Sequence, residues 1–218
     1  MKLIKITQLL LAQYLIVCMV LIFSYQGGNL FDSQNTSYIM HQNYLSDLGR
    51  TKYFSGANNP FWFVYSITLI LVGLASALFF RITANKTMSN HKWTVKILGT
   101  ISGIGYIGIA LSPVDIWFKQ HIIFGQIAYF SFFFAGLALQ VLMDRKNFRQ
   151  IYKWIFVLNI LLFAFLALSL FGPHSSEGVW ALQIKTIAQK IMVFAQLSIS
   201  LVVLYRIFAT NPKFYTHQ

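Results

Sequence analysis

Residues 60–80 read PFWFVYSITLILVGLASALFF. The stretch holds no Lys, Arg, Asp or Glu and runs for 21 positions. A hydrocarbon core of about 30 Å takes roughly 20 apolar residues in a helix. The apolar–polar alternation of a barrel strand is absent. Backbone amides in lipid must therefore be paired within the segment. The stretch predicts a membrane-spanning helix.

The same pattern recurs on both sides. Uncharged runs cover 6–31, 53–80, 97–114, 120–143, 154–176 and 191–205. Trimming their polar ends predicts spans near 6–25, 60–80, 94–112, 121–143, 153–171 and 179–206. The expected fold is an all-α integral membrane protein. It is a six-transmembrane-helix bundle, with residues 1–218 as a single transmembrane domain.

Composition agrees. The chain is 57% hydrophobic and 10% charged, with mean hydropathy +0.62. A soluble domain carries about 25% charged residues, so an ordinary soluble enzyme is excluded, as is disorder. One cysteine, Cys18, leaves no internal disulfide framework. It reads as a small apolar residue facing lipid. The net charge of +12 in so apolar a chain points to basic cytoplasmic loops and not to a nucleic-acid partner.

Orientation follows from those loops. One side carries Lys2, Lys5, Arg81, Lys86, Lys92, Lys96, Arg145, Lys146, Arg149, Lys153, Arg206 and Lys213. The other carries Arg50, Lys52, Lys119, Lys185 and Lys190. Twelve against five places both termini in the cytoplasm. The first span has a basic start like a signal peptide, but no small-x-small cleavage site follows it, so it reads as uncleaved. The composition suits a multi-pass protein of a cell membrane, with a bacterial plasma membrane as the expected setting.

Titratable groups of both signs gather on the outer side: Asp32, Asp47, Asp115 and Glu177, with His41, His121 and His174. That is where a site is expected. The loop His41–Thr51 places Ser46, Asp47 and Arg50 over the mouth of the bundle, or else Ser46 or Asp47 caps a short helix there. Pro113 ends the third helix, and Asp115 and His121 follow in the next hairpin. A carboxylate fixing a histidine tautomer is one reading of that pair. The other leaves Asp115 in water and His121 bonded to a carbonyl. On helix six, Lys185, Gln189, Met192, Gln196 and Ser200 share one face. That face either bonds neighbouring helices or lines a polar cavity. Lys190 or Arg206 must snorkel to the membrane surface, or else that face points into the bundle, and snorkelling suffices for Lys190. Gly99 and Gly103 form a GxxxG pair that reads as tight helix packing. The 21 Phe and 11 Tyr are expected mostly at the lipid or interfacial surface.

Three groups of residues carry a resemblance. Leu45-Ser46-Asp47-Leu48-Gly49 follows the first span, Asn58-Asn59-Pro60-Phe61 leads into the second, and Pro113, Asp115 and His121 join the third and fourth. Together they resemble the six-span family catalogued as domain of unknown function 998. That family is similar to the FGF-receptor-activating-protein/DRAM/Sfk membrane proteins, some of which act in lipid or GPI-anchor remodelling and autophagy. The resemblance implies the fold and carries over Ser46, Asp47, Gly49, Asp115 and His121.

Two functions fit these residues. The first is a non-enzymatic membrane protein that binds a lipid or partner on its outer face, with Arg50, Lys185, Gln189 and Gln196 as candidate contacts. The second is a metal-dependent intramembrane lipid hydrolase or acyl-transfer enzyme, similar in logic to ceramidase-type hydrolases. There His41, His121 and His174 would hold Zn, Asp47 or Asp115 would act as base, and Ser46 would stabilise the oxyanion. No Asp or Glu lies within a span, which argues against a transporter.

Overall fold

In the computed structural model of the chain, residues 2–88 and 91–209 are described. Lys213, counted above among the basic residues, lies outside them. The long helices are α1 (Lys2–Phe23), α2 (Trp62–Thr87), α3 (Lys92–Leu111), α4 (Phe118–Leu142), α5 (Arg149–Phe171) and α6 (Val179–Ala209). All six are long and apolar enough to cross a membrane. Among the described residues no strand forms, apart from one antiparallel bridge between Lys52 and Asn58.

The helix ends have local causes. Pro60 stands just before α2, where a missing N–H costs nothing. Pro113 disfavours helix at Ser112, so α3 stops at Leu111. The chain then turns, with Trp117 N donating to Pro113 O at 2.8 Å. Gly172-Pro173 ends α5 in the same way.

Packing is most extensive between α2 and α3 and between α3 and α4. Small residues set it. A methyl added at Gly103 would lie 2.5 Å from the Gly73 carbonyl oxygen, and one at Gly105 would lie 2.5 Å from Ala128 N. One at Gly99 would strike Phe80 at 2.4 Å. The GxxxG pair therefore lies where α3 packs on α2, and lipid-embedded helices associate through such close approach. Ser76 and Ser102 add a polar link: Ser76 Oγ donates to Ser102 Oγ at 3.3 Å, and Ser102 Oγ donates to Ala128 O at 2.9 Å.

One expectation changes, and one holds with exceptions. Cys18 does not face lipid; it is 1% exposed, on the side of α1 that also buries Tyr14 and Leu21. A small side chain lets α1 come close to its neighbours there. Most of the described Phe and Tyr side chains are exposed or half-buried, as expected, but several are interior. Phe79, Phe80 and Phe132 are fully buried, with Phe80 and Phe132 edge-to-face at 4.7 Å. Glycines and alanines open the space that these rings fill.

The bundle has two unlike ends. At one, the chain between α1 and α2 folds into a cap that touches the α3–α4 and α5–α6 connections. At the other, Asp144 N donates to Thr87 O at 3.0 Å, joining the α4–α5 connection to the end of α2. Lys5 near the start of α1 lies 5.8 Å from the Phe208 ring near the end of α6.

Candidate functional site

The cap is built on asparagines. Asn29 Oδ1 accepts from Phe31 N and Asp32 N at 2.9 and 3.0 Å, closing the first turn. Gly28 precedes it at φ +69°, a conformation that favours glycine. Asn59 Nδ2 donates to Leu48 O and Arg50 O at 3.0 and 2.8 Å, while its Oδ1 takes Phe61 N at 2.9 Å. Asn43 is 0% exposed and saturates its side chain. Its Nδ2 donates to Gly28 O at 2.8 Å and its Oδ1 accepts Ile39 N at 2.9 Å. Buried amide groups left unpaired would cost about 1–3 kcal/mol each, so these three side chains hold a loop that has little regular structure.

The Ser46-Asp47-Leu48-Gly49 motif forms a short 3-10 helix, Leu45–Gly49. Asp47 is 4% exposed and closes it, accepting Tyr44 N at 2.8 Å and Asn43 Nδ2 at 3.4 Å. Burial pushes the Asp47 carboxyl up to about 6, against the pull of the Tyr44 N–H, the Arg50 charge, the Asn43 amide and the Lys190 charge. Gly49 lies against Tyr65 of α2, where an added methyl would be 2.5 Å from the ring. Ser46 is half-buried. Arg50 stacks over Phe54 at 3.9 Å and donates through Nε to Lys52 O at 3.1 Å.

Helix α6 ties the cap down from below. Gln189 Oε1 accepts Leu45 N at 2.8 Å, and Thr186 Oγ1 donates to His41 O at 2.7 Å. Lys190, 6% exposed, donates to Asn43 O and lies 5.3 Å from the Tyr38 ring. Lys190 therefore does not snorkel into water. It ends inside the cap, because the cap offers a buried carbonyl and an aromatic face within reach. Gln196, one turn and a half deeper, accepts the Tyr106 hydroxyl of α3 at 2.8 Å. Lys185 reaches only Ser169 O at 3.4 Å. The polar face of α6 thus makes helix and loop contacts.

Asp115 ties the cap from the side. It accepts Thr51 N at 3.0 Å, Thr51 Oγ1 at 2.6 Å and Lys52 N at 2.9 Å. Burial alone would raise its carboxyl, but those hydrogen bonds outweigh it and hold the group below the usual carboxylate range. His121 is not its partner. The imidazole Nδ1 lies 2.7 Å from Ser112 O. That carbonyl is left without a helical partner by Pro113, so the histidine satisfies it.

A family model described as protein of unknown function, DUF998, matches residues 32–206, from inside the cap to the last turns of α6. The chain belongs to the DUF998 family. No curated protein and no solved structure matches it. All three groups of residues that carried the resemblance lie in the matched segment of this DUF998 protein, and two of them meet in the cap. Asn59 bonds the turn that Ser46–Gly49 forms, and Asp115 bonds the segment just after it.

The three histidines are not brought together. Among the described residues, no group of three or more His, Cys, Asp or Glu side chains stands close enough to hold a metal ion. His41 and His174 are exposed on separate connections, while His121 is turned to the end of α3. The donor set for Zn expected from sequence does not form, since each histidine is placed by its own local turn. What sequence reading missed is Asn43, the bonds by which Asn59 ties the loop, and the buried end of Lys190. Asn43 stood within the polar loop, but a single asparagine there carries no signal of burial.

Proposed function

We propose that this DUF998 protein is a multi-pass protein of a cell membrane, with both termini in the cytoplasm, whose extracytoplasmic cap receives the headgroup of a membrane lipid. The observation that carries this is a recess of about 240 Å³ where the cap meets the water end of α1 and α2. Ser24, Gln26 and Asn58 line it together with Tyr53, Pro60 and Phe61. Polar and apolar side chains both line it, as suits a molecule whose headgroup is wet and whose tail is not. Arg50 and Lys52 add positive charge to the same loop, outside the recess lining.

The basic asymmetry of the loops supports the orientation. The ties from α6 and Asp115 support a preformed recess, which loses little entropy on binding. The same motif residues support the similarity to the FGF-receptor-activating-protein group, whose lipid connection agrees with this reading. In this reading Asp47 and Asp115 hold the cap, His121 closes the end of α3 and Ser46 sits in the 3-10 turn, none of the four acting as a catalyst.

Native mass spectrometry of the chain released from mild detergent tests the binding. The wild type is expected to retain phospholipid, and Asn58→Trp, which fills the recess, is expected to lose one bound molecule. An adduct pattern unchanged by Asn58→Trp would sink the proposal.

A further inference from the structure

At the end of the bundle opposite the cap, α2 and α3 stay close-packed on their inner side, where Gly99 lies against Phe80. Their backbones touch at Gly73 and Gly103, and on the outward side of the pair, toward the α2–α3 connection, a groove of about 340 Å³ lies between them. Its walls are unlike along their length. Ala77 on α2 and Ile97 and Ile101 on α3 form the apolar part. Arg81 and Lys96 stand with them, and Trp93, 73% exposed, closes the outer end. Lys96 Nζ lies 4.9 Å from the Trp93 ring. No carboxylate is among the lining residues.

We infer that this groove is a binding site for an anionic glycerophospholipid, with the phosphate on Arg81 and Lys96 and an acyl chain between α2 and α3. Charge complementarity selects the occupant. Residues 93–101 of α3 rise about 12 Å, so one ligand must meet cations at one level and Ile101 more than a turn away. A free phosphate would use only the cations, and a neutral lipid would use only the wall. Arginine suits a phosphate because its planar fork donates two hydrogen bonds at once. An exposed tryptophan suits the headgroup level, where its ring and N–H meet different surroundings. The same end carries Lys86, Lys92, Arg145, Lys146, Arg149 and Lys153 against one acid, Asp144, so anionic lipid is drawn there from the surrounding leaflet. The site is independent of the cap recess and of which end faces the cytoplasm.

Trp93 is the probe. The full chain is reconstituted in phosphatidylcholine vesicles containing a small fraction of brominated phosphatidylglycerol or brominated phosphatidylcholine. The fluorescence of Trp93 is isolated as the difference from Trp93→Phe. Brominated phosphatidylglycerol is expected to quench Trp93 at about fivefold lower mole fraction than brominated phosphatidylcholine. That preference is expected to vanish in Arg81→Gln/Lys96→Gln and to persist in Lys86→Gln/Lys92→Gln, which removes the same charge outside the groove. Equal quenching by the two lipids in the wild type overturns the site. So does a preference lost equally in both double variants, which marks a diffuse surface charge. Asn58→Leu in the cap recess is expected to leave the Trp93 signal unchanged, so failure of the cap reading is distinguishable from failure of this one.

Discussion

Lys190 and Asp47 are joined through Asn43, which gives its side-chain amide to the Asp47 carboxylate at 3.4 Å and its backbone carbonyl to the Lys190 ammonium. A cation from α6 and an anion from the cap are thus held by one buried asparagine. Removing the cation leaves the Asn43 carbonyl with only the Tyr38 hydroxyl, at 3.1 Å. A hydrogen bond from a charged group contributes about 1.5–3 kcal/mol. Lys190→Met is expected to lower thermal stability in detergent by about that much. Proteolytic cleavage within residues 26–59 should rise with it.

Asp47 in the cap and Asp115 beside it respond to pH in opposite senses. Asp47 binds its proton more tightly folded than unfolded, since burial raises it from 3.8 to about 6. Its contribution is fully present below the unfolded value and is lost as pH rises through about 6, on the order of 2–3 kcal/mol. Asp115 lies below its ordinary value, so its contribution is present above the unfolded value and lost as pH falls through the folded one. Melting curves between pH 4 and pH 7 check this. Asp47→Asn is expected to remove a loss of stability on going from about pH 4 to about pH 6. Asp115→Asn is expected to weaken the protein at pH 7 and to matter less in acid.

Hydrogen exchange reads the Asp115 ties one by one. Thr51 N and Lys52 N donate to that carboxylate, so Asp115→Ala should speed exchange at both amides. Thr51→Val removes only the hydroxyl contact and keeps both N–H donors. It is expected to cost about 1 kcal/mol and to leave the two amides slow.

Two glycines give a contrast in the bundle. A side chain at Gly103 would meet the Gly73 carbonyl, while nothing stands within 4 Å of a methyl at Gly125. Gly103→Val should separate α2 from α3 and abolish a monodisperse peak in size-exclusion chromatography. Gly125→Ala should be tolerated or raise stability by up to about 1 kcal/mol, the helix-propensity difference.

How far these features were legible in the sequence depends on their range. Charge-free runs located every long helix, because the bilayer sets their length. They did not locate the helix ends. α1 begins at Lys2 where the span was expected from residue 6, and α2 continues past Arg81 to Thr87. Charges mark the edge of the hydrocarbon, and a helix can continue into water beyond it. Pro113 and the GxxxG pair were readable because their causes are local. The partners of the α6 face were not. Gln189 meets Leu45, and Lys190 meets Asn43, across more than 140 residues. The Zn-binding histidine trio failed for the same reason: sharing a side of the membrane does not place residues within bonding distance.

The central claim is that the tied cap is the extracytoplasmic face of a membrane protein, and cysteine labelling tests it most directly. Cys18 is buried and is the one cysteine in the chain, so Cys18→Ala gives a clean background. Ser55→Cys is then placed in the cap and, separately, Lys146→Cys in the α4–α5 connection, both at exposed positions. A membrane-impermeant maleimide applied to intact cells is expected to label Ser55→Cys at once and Lys146→Cys only after permeabilisation. The reverse pattern, or equal labelling of both, would contradict the account.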